Sequence, residues 1–388
     1  MKNIIAAIAI MISTCLFAQR PITSVSFELF GDYIILPVTL DNSRELNFIF
    51  DTGSGLTIID DEVGLELGFT GKEIEMNTTH NTMQLFKHHE VEINGFPIEK
   101  NIKVYATDLE HLEISLGKDI DGIIGYDIMH HHTIKINYSN QTMDIYEHGY
   151  GPKNGKEVVF DLNVSIPTVN GNVILNNEEA HPGTFFIMTG AGTTVDFNSP
   201  YAKKYNVLDK TGKHYSYLVK GLSDEETLHY EGHVISFEFG GHTLEDLPIG
   251  ISQAKSGIQA HEHVAGIIGN HVLSQFDITI DLPKRRMYLE ENENFGETRS
   301  VNCSGIDLQF AHGEPHLLIH RVFEDSPAAE AGIQVNDELV AINDQPVSTL
   351  ALPDIQAMLR KDGETVKLKI LQGSKINHFE IELKSLIK

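Results

Sequence analysis

Short apolar runs separated by turns of Gly and polar residues recur along the chain, and two of these runs are nearly alike. Residues 47–60 read Asn-Phe-Ile-Phe-Asp-Thr-Gly-Ser-Gly-Leu-Thr-Ile-Ile-Asp. They align without gaps on residues 184–197, which read Thr-Phe-Phe-Ile-Met-Thr-Gly-Ala-Gly-Thr-Thr-Val-Asp-Phe. Each copy begins with an apolar strand, turns at Thr-Gly-x-Gly and resumes as a β-rich strand. The pattern predicts a duplicated strand–turn–strand unit.

A second motif repeats downstream of each copy. Gly-Ile-Ile-Gly occurs at 122–125 and again at 266–269, and in both halves a short strand with alternating Ile follows it. Two motifs that recur in the same order and at similar separation indicate an internal duplication. We therefore predict two homologous β lobes, at 22–150 and 156–298, joined by a Gly-rich linker.

The pattern changes after residue 300. Residues 317–332 predict a strand, a turn and a short helix that ends at Gly, and residues 333–343 predict another strand. Apolar residues have helical spacing at 353–360 and alternate as in an edge strand at 365–371. We predict a small α+β domain at 303–388, in a chain whose fold class is mainly β.

The amino terminus predicts export. An apolar run at 4–17 follows a short charged segment, as in a signal peptide, and we assign residues 1–18 to it. A retained anchor, or a lipid on Cys15, is the lesser alternative. No later apolar run approaches the roughly 18 residues that a membrane span needs, so we expect no integral membrane segment after signal removal. Cys303 would then stand alone, without a disulfide partner.

Composition and charge narrow the class of partner. The 388-residue chain is 41% apolar, which is enough for sizeable cores, and it carries 55 Asp and Glu against 29 Lys and Arg. Its formal charge of -26 repels phosphate backbones, so we expect no nucleic-acid partner. The 20 histidines include clusters, but none has the spacing of a zinc site. We predict no metal and no cofactor.

The paired motifs resemble those of the aspartic proteases, with lobes of the retropepsin kind fused in tandem as in pepsin-like enzymes. The resemblance covers most of residues 22–298 and implies that Asp51 is a catalytic acid. It also implies that Gly53 lets backbone approach this carboxylate, that Ser54 hydrogen-bonds it and that Thr52 reaches across to the other lobe. In the family, two carboxylates share one proton; one activates water while the other donates to the carbonyl oxygen.

Lobe two departs from this pattern at Met188, where the family carries its second Asp. Thr189 and Gly190 are kept, so we expect the loop to hold its shape without its acid. A thioether cannot share a proton or polarise a carbonyl, and loss of a positioned proton donor typically costs about 10²–10⁴ in rate. Asp196 lies further along the following strand, where we expect it to be too distant to substitute.

The carboxy-terminal domain resembles a bacterial PDZ domain, whose Ser-Pro-Ala-x-x-Ala-Gly signature begins at Ser326. Such domains add a peptide as an extra strand and hold its terminal carboxylate in a backbone nest. The resemblance implies that this nest consists of Gly305, Ile306, Asp307 and Leu308, with Asp307 where the family usually has Gly. A carboxy-terminal peptide is therefore a candidate partner, and a role as an intramolecular lid or spacer is the alternative.

Two functions remain open at this point. The first is an exported aspartic-type endopeptidase that acts on extended polypeptides in the cleft between its lobes, with Asp51 activating water and the second acid replaced. The second is a catalytically impaired pseudo-protease that binds peptides through the cleft, the PDZ domain or both. Segments 76–83 and 214–218 are weak candidates for flaps over the cleft, and ordinary hairpins explain both equally well.

Overall fold

The computed structural model describes residues 20–75, 82–221 and 226–387. The predicted signal peptide at 1–18, and residues 76–81 of one flap candidate, lie outside the described residues. Within them, strands make up most of the ordered elements and the longest α-helices have seven residues. The mainly β fold class is therefore confirmed. In the described part of the chain, every helix is too short or too polar to cross a bilayer.

Lobe one is built on an eight-stranded sheet in the order β2-β3-β4-β9-β5-β8-β7-β6. Its elements are β1 (Thr23–Ser26), β2 (Glu28–Phe30), β3 (Tyr33–Leu40), β4 (Leu46–Phe50), β5 (Thr57–Asp60), α1 (Asp61–Glu66), β6 (Lys72–Glu75), β7 (Thr82–Ile93), β8 (Phe96–Thr107), α2 (Glu110–Leu116), β9 (Gly122–Ile124), α3 (Tyr126–His131), β10 (Thr133–Asn137) and β11 (Thr142–Tyr146). The Gly-Ile-Ile strand β9 pairs parallel with β4 and antiparallel with β5. It therefore lies between the two strands that flank the first Thr-Gly-x-Gly turn.

Lobe two repeats this sheet strand for strand, in the order β13-β14-β15-β20-β16-β19-β18-β17. Its elements are β12 (Lys156–Val159), β13 (Asp161–Asn163), β14 (Ile166–Ile174), β15 (Ala180–Met188), β16 (Val195–Phe197), α4 (Ser199–Tyr205), α5 (Val207–Lys210), β17 (Tyr215–Lys220), β18 (Glu226–Phe239), β19 (His242–Ser252), β20 (Gly266–Gly269), α6 (Asn270–Leu273), β21 (Phe276–Asp281) and β22 (Arg286–Glu291), with a 3₁₀ turn at Ile258–Ala260. The second Gly-Ile-Ile strand, β20, again pairs parallel with one flanking strand and antiparallel with the other. The duplicated motifs thus occupy equivalent places.

A third sheet joins the lobes. Its order is β1-β11-β10-β21-β22-β12, so that three strands come from each lobe. The two halves meet where β10 pairs antiparallel with β21, with Ile134 opposite Ile280 and Ile136 opposite Ile278. All four side chains are buried in one apolar core that is continuous through both lobes. The relative position of the lobes is therefore fixed by backbone pairing and by a shared core.

The carboxy-terminal domain has its own sheet and its own core. Its elements are β23 (Ile306–Ala311), β24 (Glu314–Val322), α7 (Pro327–Glu330), β25 (Glu338–Ile342), β26 (Gln345–Pro346), α8 (Leu352–Met358), β27 (Thr365–Gln372) and β28 (Lys375–Glu382), with a 3₁₀ turn at Val347–Thr349. The order β23-β24-β25-β27-β28 leaves β23 and β28 at the edges. Cys303 is buried in this core, where burial raises the pKa of its thiol to about 11. The thiol therefore acts as an apolar filler.

Candidate active site

Asp51 lies at the end of β4, where the two lobes meet. One carboxylate oxygen, Oδ1, accepts the N–H of Gly53 at 2.7 Å from its own loop and the N–H of Gly190 at 2.9 Å from lobe two. A Cβ at Gly190 would lie 2.4 Å from Cγ of Asp51, so a side chain there would collide with the carboxylate. Burial raises the pKa of Asp51, and the two N–H groups offset this only in part.

The two Thr-Gly turns are cross-bonded across the interface between the lobes. The N–H of Thr52 donates to Oγ1 of Thr189 at 3.0 Å, and the N–H of Thr189 donates to Oγ1 of Thr52 at 3.1 Å. Each hydroxyl then donates to a carbonyl of the opposite lobe, that of Thr52 to Ile187 at 2.7 Å and that of Thr189 to Phe50 at 2.8 Å. Both threonines are fully buried. The sequence prediction that Thr52 reaches into the other lobe agrees with this arrangement.

Met188 stands in lobe two at the position equivalent to Asp51. Its thioether packs on the backbone of Gly53, because a Cβ at Gly53 would lie 2.5 Å from Cε of Met188. The influences that shift the pKa of Asp51 are burial and the two N–H groups, and no carboxylate of the described residues is among them. The centre of the interface therefore carries one acid and one apolar side chain.

Ser54 does not bind the carboxylate. Its hydroxyl donates to the carbonyl of Leu56 at 2.6 Å, and a hydroxyl has a single proton to donate. The prediction that Ser54 donates a hydrogen bond to Asp51 is therefore wrong, since a carbonyl two residues further along the turn takes the proton. The neighbouring Gly125 does serve the loop, because a Cβ there would collide with the carbonyl of Asp51.

Tyr33 is a residue of the site that sequence reasoning missed. Its ring lies against Gly192 of lobe two, where an added Cβ would be 2.9 Å from the phenolic oxygen. Burial, with the charges of Asp32 and Asp51 adding to it, raises the pKa of the Tyr33 phenol and keeps it protonated. Tyr33 begins β3, and the strands β3 and β4 separate it from the Asp51 motif. A single Tyr at the start of a strand has no pattern that would indicate a functional role.

Each lobe has a small apolar cluster that includes one residue packed at the centre of the interface, Tyr33 in lobe one and Met188 in lobe two. The lobe-one cluster contains the buried residues Ile35, Ile49, Ile58, Leu109, Ile120 and Ile123, with Tyr33, Leu112 and Leu116 partly buried against them. The lobe-two cluster contains Ile166, Phe186, Val264 and Ile267, with Met188 and Ala191 partly buried against them. Tyr33 and Met188 thus connect the two clusters to the centre that holds Asp51.

Asp196 belongs to a separate polar cluster within lobe two. Its carboxylate accepts a hydrogen bond from Nε2 of Gln259 at 2.6 Å and lies 3.3 Å from Nδ1 of His229, and all three side chains are at least partly buried. It does not influence the pKa of Asp51. This agrees with the expectation that Asp196 does not replace the missing acid. Of the second flap candidate, 214–218, all residues but the first lie in the β17 strand (Tyr215–Lys220) and not at a hairpin tip.

In the predicted carboxylate-binding loop of the carboxy-terminal domain, backbone N–H groups form hydrogen bonds with side chains just before the loop. The N–H of Gly305 donates to the side-chain oxygen of Asn302 at 2.8 Å, and the N–H of Ile306 donates to Oγ of Ser304 at 3.0 Å. Burial raises the pKa of the Asp307 carboxyl group, in strand β23. The N–H groups of Gly305 and Ile306 are therefore not presented to a ligand, because Asn302 and Ser304 supply acceptors that the signature does not reveal.

Residues that could hold a metal do not converge in the described parts of the chain. Among residues 20–75, 82–221 and 226–387, His, Cys, Asp and Glu side chains form no group of three or more with the geometry of a metal site. The exposed pair His130 and His131 lies at the end of α3, away from Asp51 in sequence and on the surface.

Comparison with known proteins gives two family matches and several local similarities. Residues 36–128 match the family described as aspartyl protease, and residues 318–372 match the PDZ domain. A probable CtpA-like serine protease of Staphylococcus haemolyticus is 32% identical over 106 residues, which are 26% of this chain and 21% of that protein. A probable periplasmic serine endoprotease, DegP-like, of Pseudomonas putida is 39% identical over 70 residues, 18% of this chain and 14% of that protein.

The carboxy-terminal processing protease CtpA of Bacillus subtilis is 29% identical over 96 residues, which are 24% of this chain and 20% of that protein. The chain thus spans about a fifth, or less, of the length of these curated relatives. These partial matches to serine proteases identify no catalytic residue. Taken with the duplicated lobes and the loop around Asp51, the matches show that the chain carries aspartyl-protease-like β lobes followed by a PDZ domain.

Proposed function

We propose that the chain is an aspartic-type peptidase that holds an extended polypeptide between its lobes, with Asp51 as the carboxylate that activates water. The observation that carries the proposal is the cross-bonded pair of Thr-Gly turns with a single buried carboxylate at its centre. Such rigid positioning of a charged group by fixed N–H donors is what general base catalysis requires. Asp51 would act through Oδ2, because both backbone donors occupy Oδ1.

The raised pKa of Asp51 also supports its role as a base. A carboxylate with a higher pKa is a stronger base toward water, although it reaches its ionised form only at higher pH. The proton of water would pass to Oδ2 of Asp51 while the water oxygen forms a bond with the scissile carbonyl carbon and the π electrons of the carbonyl move to its oxygen. Collapse of this adduct would re-form the carbonyl and break the C–N bond, and the proton on Asp51 would pass to the leaving amine. In the two-acid mechanism the partner donates to the carbonyl oxygen as the adduct forms, and Met188 has no proton to give.

The apolar clusters indicate the substrate class. One cluster reaches the centre through Tyr33 and the other through Met188, so a peptide that crosses Asp51 would meet apolar surface on both sides of the scissile bond. Burial of one large aliphatic or aromatic side chain contributes about 1.5–3 kcal/mol. We therefore propose an extended polypeptide with apolar side chains on both sides of the bond that reacts.

The replacement of the second acid favours a second candidate function. With Met188 in place, the same cleft can bind a polypeptide and release it uncut, as a pseudo-protease would. The proposed setting is the same in both cases: an exported protein, on the basis of the apolar segment at 4–17. One set of relatives is described as periplasmic, which supports this setting. The acidic surface supports the absence of nucleic acid among the partners.

A cleavage assay with a binding readout separates the two candidates. Purified wild type and Asp51→Asn would be incubated with a library of unstructured peptides from pH 3 to pH 8, with products identified by mass spectrometry and binding measured by calorimetry. We expect slow cleavage between apolar residues by wild type and none by Asp51→Asn. Equal turnover by the two proteins would remove Asp51 from the mechanism, and binding without any cleavage would establish the pseudo-protease.

A further inference from the structure

The PDZ domain lies against lobe one through the face that would receive a peptide. An extended ligand adds to a free sheet edge, and β23 is an edge strand whose side chains pack in one core with those of α8. Phe310 of β23 and Leu352 of α8 close together over Gly117, the residue that ends α2 of lobe one. A Cβ at Gly117 would be 2.5 Å from Cε2 of Phe310 and 3.3 Å from Cβ of Leu352.

Further contacts hold this arrangement on both lobes. Nδ1 of His312, just after β23, lies 2.7 Å from a carboxylate oxygen of Glu110 at the start of α2. Gly31 of lobe one packs on Pro353 of α8, with 3.5 Å between a Cβ placed at Gly31 and Cγ of the proline. From lobe two, the ring of Tyr215 packs against that of Phe323, with 4.7 Å between the ring centroids and an angle of 56° between the ring planes.

The contacts are made by the elements that shape the cleft. Leu112 and Leu116 of α2 belong, with Tyr33, to the lobe-one apolar cluster beside Asp51. Arg360, after α8, is influenced by the charges of Asp32 in lobe one and Glu231 in lobe two. A shift of the PDZ domain would therefore reach this cluster through α2.

We propose that lobe one covers the peptide groove of the PDZ domain in the resting protein, and that an extended peptide which enters the groove displaces the domain from the cleft. The ligand is an apolar extended segment recognised by the β23 edge and by Phe310 and Leu352. It is not recognised by its terminal carboxylate, because the N–H groups of Gly305 and Ile306 already have acceptors. This mechanism operates whether or not the cleft hydrolyses its substrate.

One substitution opens the groove without altering it. Gly117→Asn places a side chain against Phe310 and Leu352 from the lobe-one side, and Asn tolerates the left-handed backbone, φ 71°, of this position. The matched control is Gly68→Asn, which also follows a lobe-one helix at φ 72° but has nothing within 4 Å of its Cβ. A second pair, Gly31→Cys with Pro353→Cys, locks the groove shut, since the two Cβ atoms would be 3.8 Å apart, as in disulfides. Gly31 has a left-handed backbone, φ 58°, so the reduced form of this pair is the reference for the strain that Cys introduces there.

The probe is a fluorescein-labelled octapeptide in which Val or Leu alternates with Lys or Thr, made with a free and with an amidated carboxyl terminus. Affinity is measured by fluorescence anisotropy on the full chain in a Cys15→Ser background. We expect Gly117→Asn to bind the probe about tenfold more tightly than wild type and Gly68→Asn to equal wild type. Both forms of the probe should bind equally, and Phe310→Ser in the Gly117→Asn background should remove the gain.

The disulfide variant tests displacement directly. Its oxidised form should not bind the probe, its reduced form should bind as wild type does, and saturating probe should slow formation of the disulfide. Equal affinity of wild type, Gly117→Asn and the oxidised lock would show that lobe one does not cover the groove. Absence of binding to Gly117→Asn, or a disulfide rate that the probe leaves unchanged, would equally overturn the proposal. None of these readouts depends on peptide cleavage, so a failure here is distinct from a failure of the proposed peptidase function.

Discussion

The two lobes have the same strand order and the same Thr-Gly loop, yet only the loop of lobe one carries an acid before its Thr-Gly turn. Asp51 and Met188 end equivalent strands, and the threonine and glycine that follow each of them make equivalent bonds across the interface. The loop of lobe two even supplies the N–H of Gly190 to the carboxylate of lobe one. Lobe two therefore carries the part of the motif that joins the lobes and lacks the carboxylate.

This difference separates two roles of the loop, which are to hold the lobes together and to supply an acid. The Thr-Gly turns are needed for folding, because their hydroxyls and N–H groups would otherwise be buried without partners. The acid is not needed for folding, since a buried carboxylate costs free energy unless it is bonded. Met188 fills the space against Gly53 without that cost. The interface can thus persist in a chain with one acid at its centre.

Restoring symmetry should have the largest effect. Met188→Asp would place a second carboxyl group opposite Asp51, and two such groups at about 3 Å share one proton. We expect peptide cleavage to rise about 10²–10⁴-fold at mildly acidic pH, because a positioned proton donor is regained. The measurement is kcat/KM for a peptide with an apolar pair at the scissile bond, from pH 3 to pH 7.

The control for this gain is Met188→Asn, which has similar size and polarity but no titrating proton. Its rate should stay near that of wild type. Adding Asp51→Asn to Met188→Asp should return the protein to the background rate. Cleavage by Met188→Asp no faster than by Met188→Asn would mean that the two loops cannot form a proton-sharing pair.

Removal of the buried hydroxyl of Thr52 or of Thr189 tests whether the two lobes contribute equally to the stability of the interface. Thr52→Val keeps the shape but leaves a carbonyl of Ile187 and the N–H of Thr189 without partners, and Thr189→Val does the same on the other side. Each change should lower the free energy of unfolding by about 2–4 kcal/mol, since one donor and one acceptor are left unpaired. Urea unfolding followed by circular dichroism measures this in a chain without Trp.

The double variant sharpens this comparison, because both hydroxyls belong to one bonded set. We expect Thr52→Val with Thr189→Val to cost less than the sum of the single changes. Strict additivity would show that the two hydroxyls contribute independently. A large loss at one position and a negligible loss at the other would show that the lobes do not share the interface equally.

Much of this asymmetry is visible in the sequence, because the motifs are local and repeated. The run of residues through Asp51 and its copy through Met188 predicted the paired turns, and Gly125 and its copy Gly269 predicted the strands that support them. The role of Tyr33 was not predictable, since it depends on Gly192 in the other lobe. The bond of Ser54 was also not predictable, because a hydroxyl in a turn has several acceptors within reach.

For the PDZ domain, too, the sequence predicts the local elements but not the contacts between distant segments. Its strands follow from the alternation of apolar residues, and its type follows from the short helix signature at Ser326. Its contact with Gly117 joins two surfaces that have no common motif, and the bonds inside the loop at Gly305 depend on Asn302, which lies outside the signature. Contacts between distant segments are decided by the fold, and not by any local pattern.

The buried carboxyl group of Asp51 should also affect how the Tm of the protein depends on pH. Burial raises the pKa of Asp51, so the folded protein keeps this proton at pH values where the unfolded chain has released it. Stability therefore falls as pH rises through and above the ordinary carboxyl range. Asp51→Asn removes this cost, and we expect its Tm to exceed that of wild type by about 2–4 °C at pH 7.

At pH 3 the carboxyl group is protonated in both states, and the difference in Tm should vanish. Glu324→Gln is the charge-matched control at an exposed position and should leave Tm unchanged at both pH values. Met188→Asp should move Tm in the opposite direction at pH 7, because it adds a second buried carboxyl group. A lower Tm for Asp51→Asn at pH 7 would show that the ionised carboxylate stabilises the interface through its two N–H donors.

The smallest effect is expected at another place where the two loops differ, Ser54 against Ala191. The hydroxyl of Ser54 donates to Leu56 and not to Asp51, so Ser54→Ala should lower the free energy of unfolding by about 0.5–1.5 kcal/mol, the net contribution of one hydrogen bond. The dependence of Tm on pH should keep its shape, because the surroundings of Asp51 do not change. If Ser54→Ala moved this dependence to higher pH, the hydroxyl would have to stabilise the ionised carboxylate in solution. Lobe one would then retain more of the two-acid arrangement than its contacts indicate.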